Sequence, residues 1–120
     1  MTRHAAILLV EDEALIRMML VEMLQELQHR VVAEAGSIEG ALAYAETAAF
    51  DLAILDINVR GRNIEPVAEI VERRGLPFIF MTGYSDSALP QKFSGKPYIQ
   101  KPCSLQKLQQ AISSVLVSKA

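Results

Sequence analysis

Cysteine is nearly absent from this chain. The 120 residues hold one, Cys103, which excludes an intrachain disulfide, and no histidine lies near it in sequence to make it a thiol nucleophile, so it reads as a small packing residue. Neither sign of charge dominates: Lys+Arg 12 against Asp+Glu 14 gives a formal net charge of −2, without the basic excess that binds nucleic acid. Long hydrophobic runs are missing too. The apolar stretch 5–10, behind Arg3 and His4, stops at Glu11 and Asp12 and is too short for a signal peptide or a membrane span. A soluble, cytoplasmic chain with no membrane and no direct nucleic-acid partner is therefore expected. There is no Ser/Gly/Pro-rich tract, repeat or long block of like charge, and 51% hydrophobic residues argue against disorder. One domain over residues 1–120 is long enough to build its core without disulfide or metal.

What is present is an alternation of short apolar runs with helical periodicity. Residues 5–10 read as a buried strand, and 13–28 as a helix with Ile16, Met19, Leu20, Met23, Leu24 and Leu27 on its inward stripe. A second apolar set on that helix, Ala14, Leu15, Met18 and Val21, shares a face that the sheet cannot also cover. Residues 30–35 form a second strand, Ser37 caps an alanine-rich helix over 38–47, and residues 52–55 form a third strand buried on both faces. A helix is expected to begin at Pro66 and to stop before Gly75. Residues 76–81 make a fourth strand with Pro77 at its start, and 98–100 a short fifth. Ser104 caps a last helix with Leu105, Leu108, Ile112, Val115 and Leu116 inward. Between strands four and five, residues 85–96 contain Pro90 and Gly95, leaving room for only a short or irregular helix on which Ala88, Leu89 and Phe93 pack loosely. Five strands alternating with helices predict an α/β fold, a doubly wound five-stranded parallel sheet of flavodoxin-like (βα)5 topology and order 2-1-3-4-5.

The strand ends carry the chemistry. Asp56 follows the third strand and precedes a loop with Arg60, Gly61, Arg62 and Asn63; alone, it is also what an ordinary turn-initiating Asp looks like. The other ends decide: Glu11 and Asp12 after the first strand, Thr82 and Gly83 after the fourth, Lys101 and Pro102 after the fifth. In order 2-1-3-4-5 the first and third strands are neighbours at the switch point, so three carboxylates converge in one crevice. Carboxylate oxygens with waters suit Mg²⁺, Lys101 offers a point charge and Thr82 a hydroxyl to a phosphoryl oxygen, and Gly83 permits close approach of backbone. Such a site suits phosphoryl transfer with an Asp carboxylate as nucleophile.

Val-Glu-Asp-Glu at 10–13, Leu-Asp-Ile-Asn at 55–58, Met-Thr-Gly-Tyr at 81–84 and Gln-Lys-Pro at 100–102 resemble the receiver domain of two-component response regulators over essentially the whole chain. The resemblance implies that Asp56 is phosphorylated by a histidine kinase or a histidine phosphotransfer protein, and that the domain catalyses only its own phosphorylation and dephosphorylation. It also implies Mg²⁺ held by Glu11, Asp12, Asp56 and the backbone carbonyl of Asn58, with Asp12 the more direct ligand of the acidic pair. Thr82 and Lys101 match the switch hydroxyl and the lysine, Tyr98 matches the aromatic whose rotamer follows Thr82, and the Lys101–Pro102 peptide would be cis. Most receivers carry Met-Pro shortly after the phosphorylated Asp, whereas here Val59-Arg60-Gly61-Arg62 follows. With residues 77–84 this looks like the subgroup nicknamed FATGUY, for Phe-Ala-Thr-Gly-x-Tyr, although Met81 stands in place of its Ala. No effector domain is expected after the last helix, so output is expected through a downstream protein target.

Three rivals fit less well. A haloacid-dehalogenase-like phosphatase wants a second Asp two residues after the first, where Asn58 stands, and usually a cap domain. A flavodoxin-like cofactor binder wants a phosphate loop where Glu11-Asp12-Glu13 would repel phosphate. A docking module that is never phosphorylated has no need of the full residue set found here.

Overall fold

The computed structural model describes residues 4–83, 91–93, 95–101 and 103–117. Tyr84, Ala88, Leu89, Pro90 and Pro102, with the peptide bond expected to be cis, lie outside the described residues. Five parallel strands form the sheet: β1 (Ala6–Val10), β2 (Arg30–Ala35), β3 (Leu52–Asp56), β6 (Phe78–Thr82) and β7 (Tyr98–Gln100), in the order β2-β1-β3-β6-β7. This is the expected 2-1-3-4-5. Between β3 and β6 a two-stranded antiparallel hairpin, β4 (Asn58–Val59) and β5 (Arg62–Asn63), stands apart from the main sheet. The described helices are α1 (Ala14–Glu26), α2 (Ile38–Thr47), α3 (Glu65–Arg73) and α4 (Leu105–Val117).

Strand periodicity divides the core in two. Along β1, Leu8 and Val10 join Ala53 and Leu55 of β3 and Phe78 and Phe80 of β6 in one cluster with α2 and α3. Ile7, Leu9, Leu52, Ile54, Ile79 and Met81 point the other way, into a cluster with Leu20 and Leu24 of α1 and Leu108, Ile112 and Leu116 of α4. Side chains alternate faces along a strand, so a central strand covered by helices on both sides must be apolar at every position, as β1 and β3 nearly are. The helix starts follow their sequence signals. Ser37 Oγ accepts the Gly40 N–H at 3.1 Å, Ser104 Oγ accepts the Lys107 N–H at 3.1 Å, and Pro66 lies in the first turn of α3. After α3, Gly75 takes φ 74°, the left-handed conformation that suits glycine past a helix end. Among the described residues no helix is long and apolar enough to cross a membrane.

Three expectations need correction. Met19 is 53% exposed rather than inward, because at about 100° per residue it lies well off the arc centred on Leu20 and Leu24, which Ile16, Met23 and Leu27 flank. It joins Leu15 and Met18 on the outer face, while Val21 packs against the core. Phe93, expected to pack loosely, is 1% exposed. It closes the 3₁₀ turn Gln91–Phe93 with its ring 5.5 Å from Phe78 and 5.8 Å from Phe80, and Lys92–Glu69 and Lys96–Glu72 ion pairs flank it. Three rings packed edge-on or tilted hold this end of the segment after β6 against the sheet.

Truncating that anchor should be costly. Phe93→Ala is expected to lower unfolding free energy by about 3 kcal/mol, the usual scale for a buried aromatic. Denaturant unfolding checks this, and a loss under about 1 kcal/mol would show that the ring is not an anchor.

Candidate functional site

The parallel arrangement brings the carboxyl ends of β1, β3, β6 and β7 to one edge. Asp56 closes β3, in register with Met81, and is 5% exposed. Glu11 follows β1 fully buried, its N–H bonded to the Ala35 carbonyl at 3.0 Å. Thr82 closes β6 and is buried, and Lys101 follows β7 with its N–H on the Thr82 carbonyl at 2.7 Å. That backbone bond aims the lysine across the edge. Its ammonium lies 2.9 Å from Glu11 Oε1 and 3.3 Å from Asp56 Oδ2.

The two members of the acidic pair differ. Glu11 Oε2 accepts the Glu13 N–H at 3.0 Å at the start of α1, whose N-cap residue makes no side-chain cap of its own, so both Glu11 oxygens are engaged. Asp12 is half-buried and, with Asp56, Asn58, Gly61, Asn63, Thr82, Gly83 and Lys101, lines an open cavity of about 580 Å³; Glu11 is not in its wall. Sequence reasoning missed how the hairpin shapes this cavity. Arg60 and Gly61 both have positive φ, 52° and 81°, as a tight two-residue hairpin turn of the I′ type requires. Asn58 Oδ1 accepts the Gly61 N–H at 2.9 Å, and the Arg60 N–H bonds Asp12 Oδ2 at 2.8 Å across the cavity mouth. The sequence signal for it is Gly61 at the second position of a two-residue turn. Tyr98 lies apart, 43% exposed on the edge strand β7 and absent from the cavity wall.

Crowding acids at a partly buried edge has an electrostatic consequence. Burial, then the charge of Glu11, push the Asp56 carboxyl up to about 7 against the opposing pull of Lys101. Burial works against the Asp12 charge as well, but the Arg60 N–H, a hydrogen bond with Glu11 and the Lys101 charge outweigh it and leave that carboxyl below its usual value. For Lys101, burial favours the neutral amine, yet its bonds and attractions to Glu11 and Asp56 win and raise the ammonium. A divalent cation fits this set. Carboxylate oxygens of Glu11, Asp12 and Asp56 lie within 4.8 Å of one another, and such an all-oxygen set is the kind of donor that Mg²⁺ would take.

What fold and edge define together is a flavodoxin-like α/β domain with acids and a lysine gathered at its switch point. The chain belongs to the response regulator receiver domain family, whose model matches residues 7–113. It is 37% identical over 110 residues to the transcriptional regulatory protein PdtaR of Mycobacterium tuberculosis, covering 88% of this chain and 54% of that protein. It thus spans about half the length of the curated relatives it matches. Among solved structures it is similar to SdrG from Sphingomonas melonis Fr1, with TM-score 0.85, 40% identity and coverage of 97% of this chain and 99% of that one. It also resembles the anti-anti-sigma factor PhyR from Bartonella quintana, with TM-score 0.84, 26% identity and coverage of 98% and 49%. It is a signalling domain of two-component systems.

The raised Asp56 carboxyl sets a pH dependence. Because its folded value exceeds the ordinary 3.8, Asp56 contributes stability that is full below about pH 4 and lost as pH rises through about 7 without divalent metal. Asp56→Asn removes that penalty, so its Tm should exceed that of the parent increasingly between about pH 5 and about pH 8, by several degrees at the upper end. Mg²⁺ should raise the parent Tm more at the higher pH. A Tm difference constant across this range would contradict the electrostatics described.

Proposed function

We propose that this receiver accepts a phosphoryl group on Asp56 from a phosphohistidine, and that the observation carrying this reading is the Lys101 ammonium set between Glu11 and Asp56 beside the open cavity. In the transfer an Asp56 carboxylate oxygen forms a bond to phosphorus as the P–N bond of phosphohistidine breaks, the electron pair leaving with the imidazole. Bound Mg²⁺ supplies positive charge to the phosphoryl oxygens. Glu11, Asp12 and Asp56, with the Asn58 carbonyl, are the residues that would hold it, and Glu11 also holds Lys101 and the start of α1. The Lys101 ammonium moves its attention from carboxylates to a phosphoryl oxygen without leaving its place, and the Thr82 hydroxyl, at the cavity wall, donates to another. Drawing Thr82 inward makes room for Tyr98, exposed here, to turn in behind it and alter the face formed by β7, α4 and the segment before β7. A downstream protein target reads that face. The reading treats residues 1–120 as one cytoplasmic receiver, with membership of the FATGUY subgroup part of the same proposal.

The phosphodonor is a histidine kinase or histidine phosphotransfer protein, and α1 offers it a seat. Leu15, Met18 and Met19 are 69%, 55% and 53% exposed on its outer face, and beside them an apolar groove of about 280 Å³ runs past Met19, Met23, Met81 and Cys103 to Gly83 and Lys101 at the site. A helix carrying the phosphohistidine can pack its own apolar face there.

Acetyl phosphate with Mg²⁺, read by intact mass, tests the proposal. One added phosphoryl group is expected, absent in Asp56→Asn; an unlabelled parent would instead favour a docking module that is never phosphorylated. Met18→Glu should slow transfer from a phosphorylated histidine donor by about tenfold while labelling by acetyl phosphate is unchanged, whereas equal loss with both donors would point to a damaged fold.

A further inference from the structure

We propose that Arg17, at the end of the first turn of α1, is the positioning residue that sets the acidic pair for its cation, an inference that rests on the reading of this site as magnesium-dependent. Its Nη1 donates to the Glu11 carbonyl at 2.6 Å and its Nε lies 3.4 Å from Glu34 Oε1 on β2. The guanidinium reaches this place because the chain leaves room at Gly36. A Cβ built there would fall 2.9 Å from Arg17 Nη1 and 3.8 Å from the Glu11 carbonyl oxygen. Glycine at 36 is therefore matched to the guanidinium that covers it, and its backbone needs no positive φ to explain it.

The geometry acts on the site through one peptide plane. Glu11 is clamped from both sides, its N–H by the Ala35 carbonyl at 3.0 Å and its carbonyl by Arg17. The peptide unit is rigid, so fixing the Glu11 oxygen also fixes the nitrogen and Cα of Asp12, the origin of the side chain that faces the cavity. With the guanidinium in place Glu11 is fully buried, so the bond to its carbonyl is shielded from bulk water. The bond is charge-assisted, which makes it stronger than an ordinary amide contact. The half-exposed Glu34 contributes less, because an ion pair open to water is weakly held, so the carbonyl is the contact that matters.

The test compares Arg17→Met, which keeps an apolar stem, Arg17→Lys, which restores a shorter cation, Gly36→Ala, which displaces the guanidinium without changing charge, and Glu34→Gln as the control for the surface pair. Each variant of the 120-residue chain is measured for Tm, for the amide chemical shift of Asp12 without metal, and for Mg²⁺ affinity by calorimetric or NMR titration. Arg17→Met is expected to weaken Mg²⁺ binding by about tenfold, within the range for groups that orient metal ligands, and to shift the Asp12 amide. Gly36→Ala should weaken it in the same direction, Arg17→Lys should recover part of the loss, and Glu34→Gln should stay near the parent. Labelling by acetyl phosphate should follow the affinity, its rate returning at saturating Mg²⁺ while the half-saturating concentration rises. Mg²⁺ affinity within twofold of the parent in both Arg17→Met and Gly36→Ala would overturn the inference and leave Arg17 as a clip between α1 and β2. A parent chain that binds no Mg²⁺ would instead overturn the underlying reading of the site.

Discussion

The structure turns on negative charge held where water is scarce. Glu11 is fully buried, Asp56 nearly so, and the nearest carboxylate oxygens of these two and Asp12 fall within 4.8 Å of one another. Such an arrangement repels itself, and burial sharpens the repulsion because a low-dielectric surrounding screens charge poorly. The protein relieves it with one ammonium, two backbone N–H groups and the proton that Asp56 retains to about pH 7. One cation for three acids leaves the site short of positive charge. A divalent ion and the switch in Lys101 contacts that a phosphoryl group brings are two ways to complete it.

The scaffold is what makes this imbalance tolerable. β1 and β3 are apolar along nearly their whole length and packed on both faces, so their ends are held by the core rather than by the acids themselves. Asp56 projects from the end of a strand flanked by β1 and β6, and the local cost of its charge is borne by packing elsewhere. The hairpin and α1 then adjust details. Arg60 N–H closes on Asp12 from one side, and Arg17 holds the Glu11 carbonyl from the other. The apolar outer face of α1 belongs to the same helix as Arg17, so a partner seated on Leu15 and Met18 contacts the element that carries this brace.

Much of this was legible in the sequence, for identifiable reasons. Strands buried on both faces cannot hide their apolar runs, and Ser37, Ser104, Pro66 and Gly75 mark helix ends by local chemistry, so the sheet order and most boundaries follow. The site residues were found because they fall at the carboxyl ends of strands, a position set by topology. What escaped depended on contacts distant in sequence. Nothing local says that Phe93 fills a space beside Phe78 and Phe80, or that Asp12 meets a backbone N–H 48 residues away. Met19 was misplaced because a methionine fits either side of a helical stripe, and only the arc around Leu20 and Leu24 decides. Arg17 was missed because an arginine in an amphipathic helix looks like solvated charge until its carbonyl partner is seen.

The central claim is that crowding and burial, rather than any single bond, govern Asp56. A ¹³C NMR titration of the Asp56 side-chain carboxyl, with and without Mg²⁺, tests it most directly. The account predicts titration at about 7 in the metal-free protein and a fall well below that value once Mg²⁺ is bound. Titration near the ordinary 3.8 without metal would contradict it, since the site would then hold its charges with no imbalance for a cation or a phosphoryl group to complete.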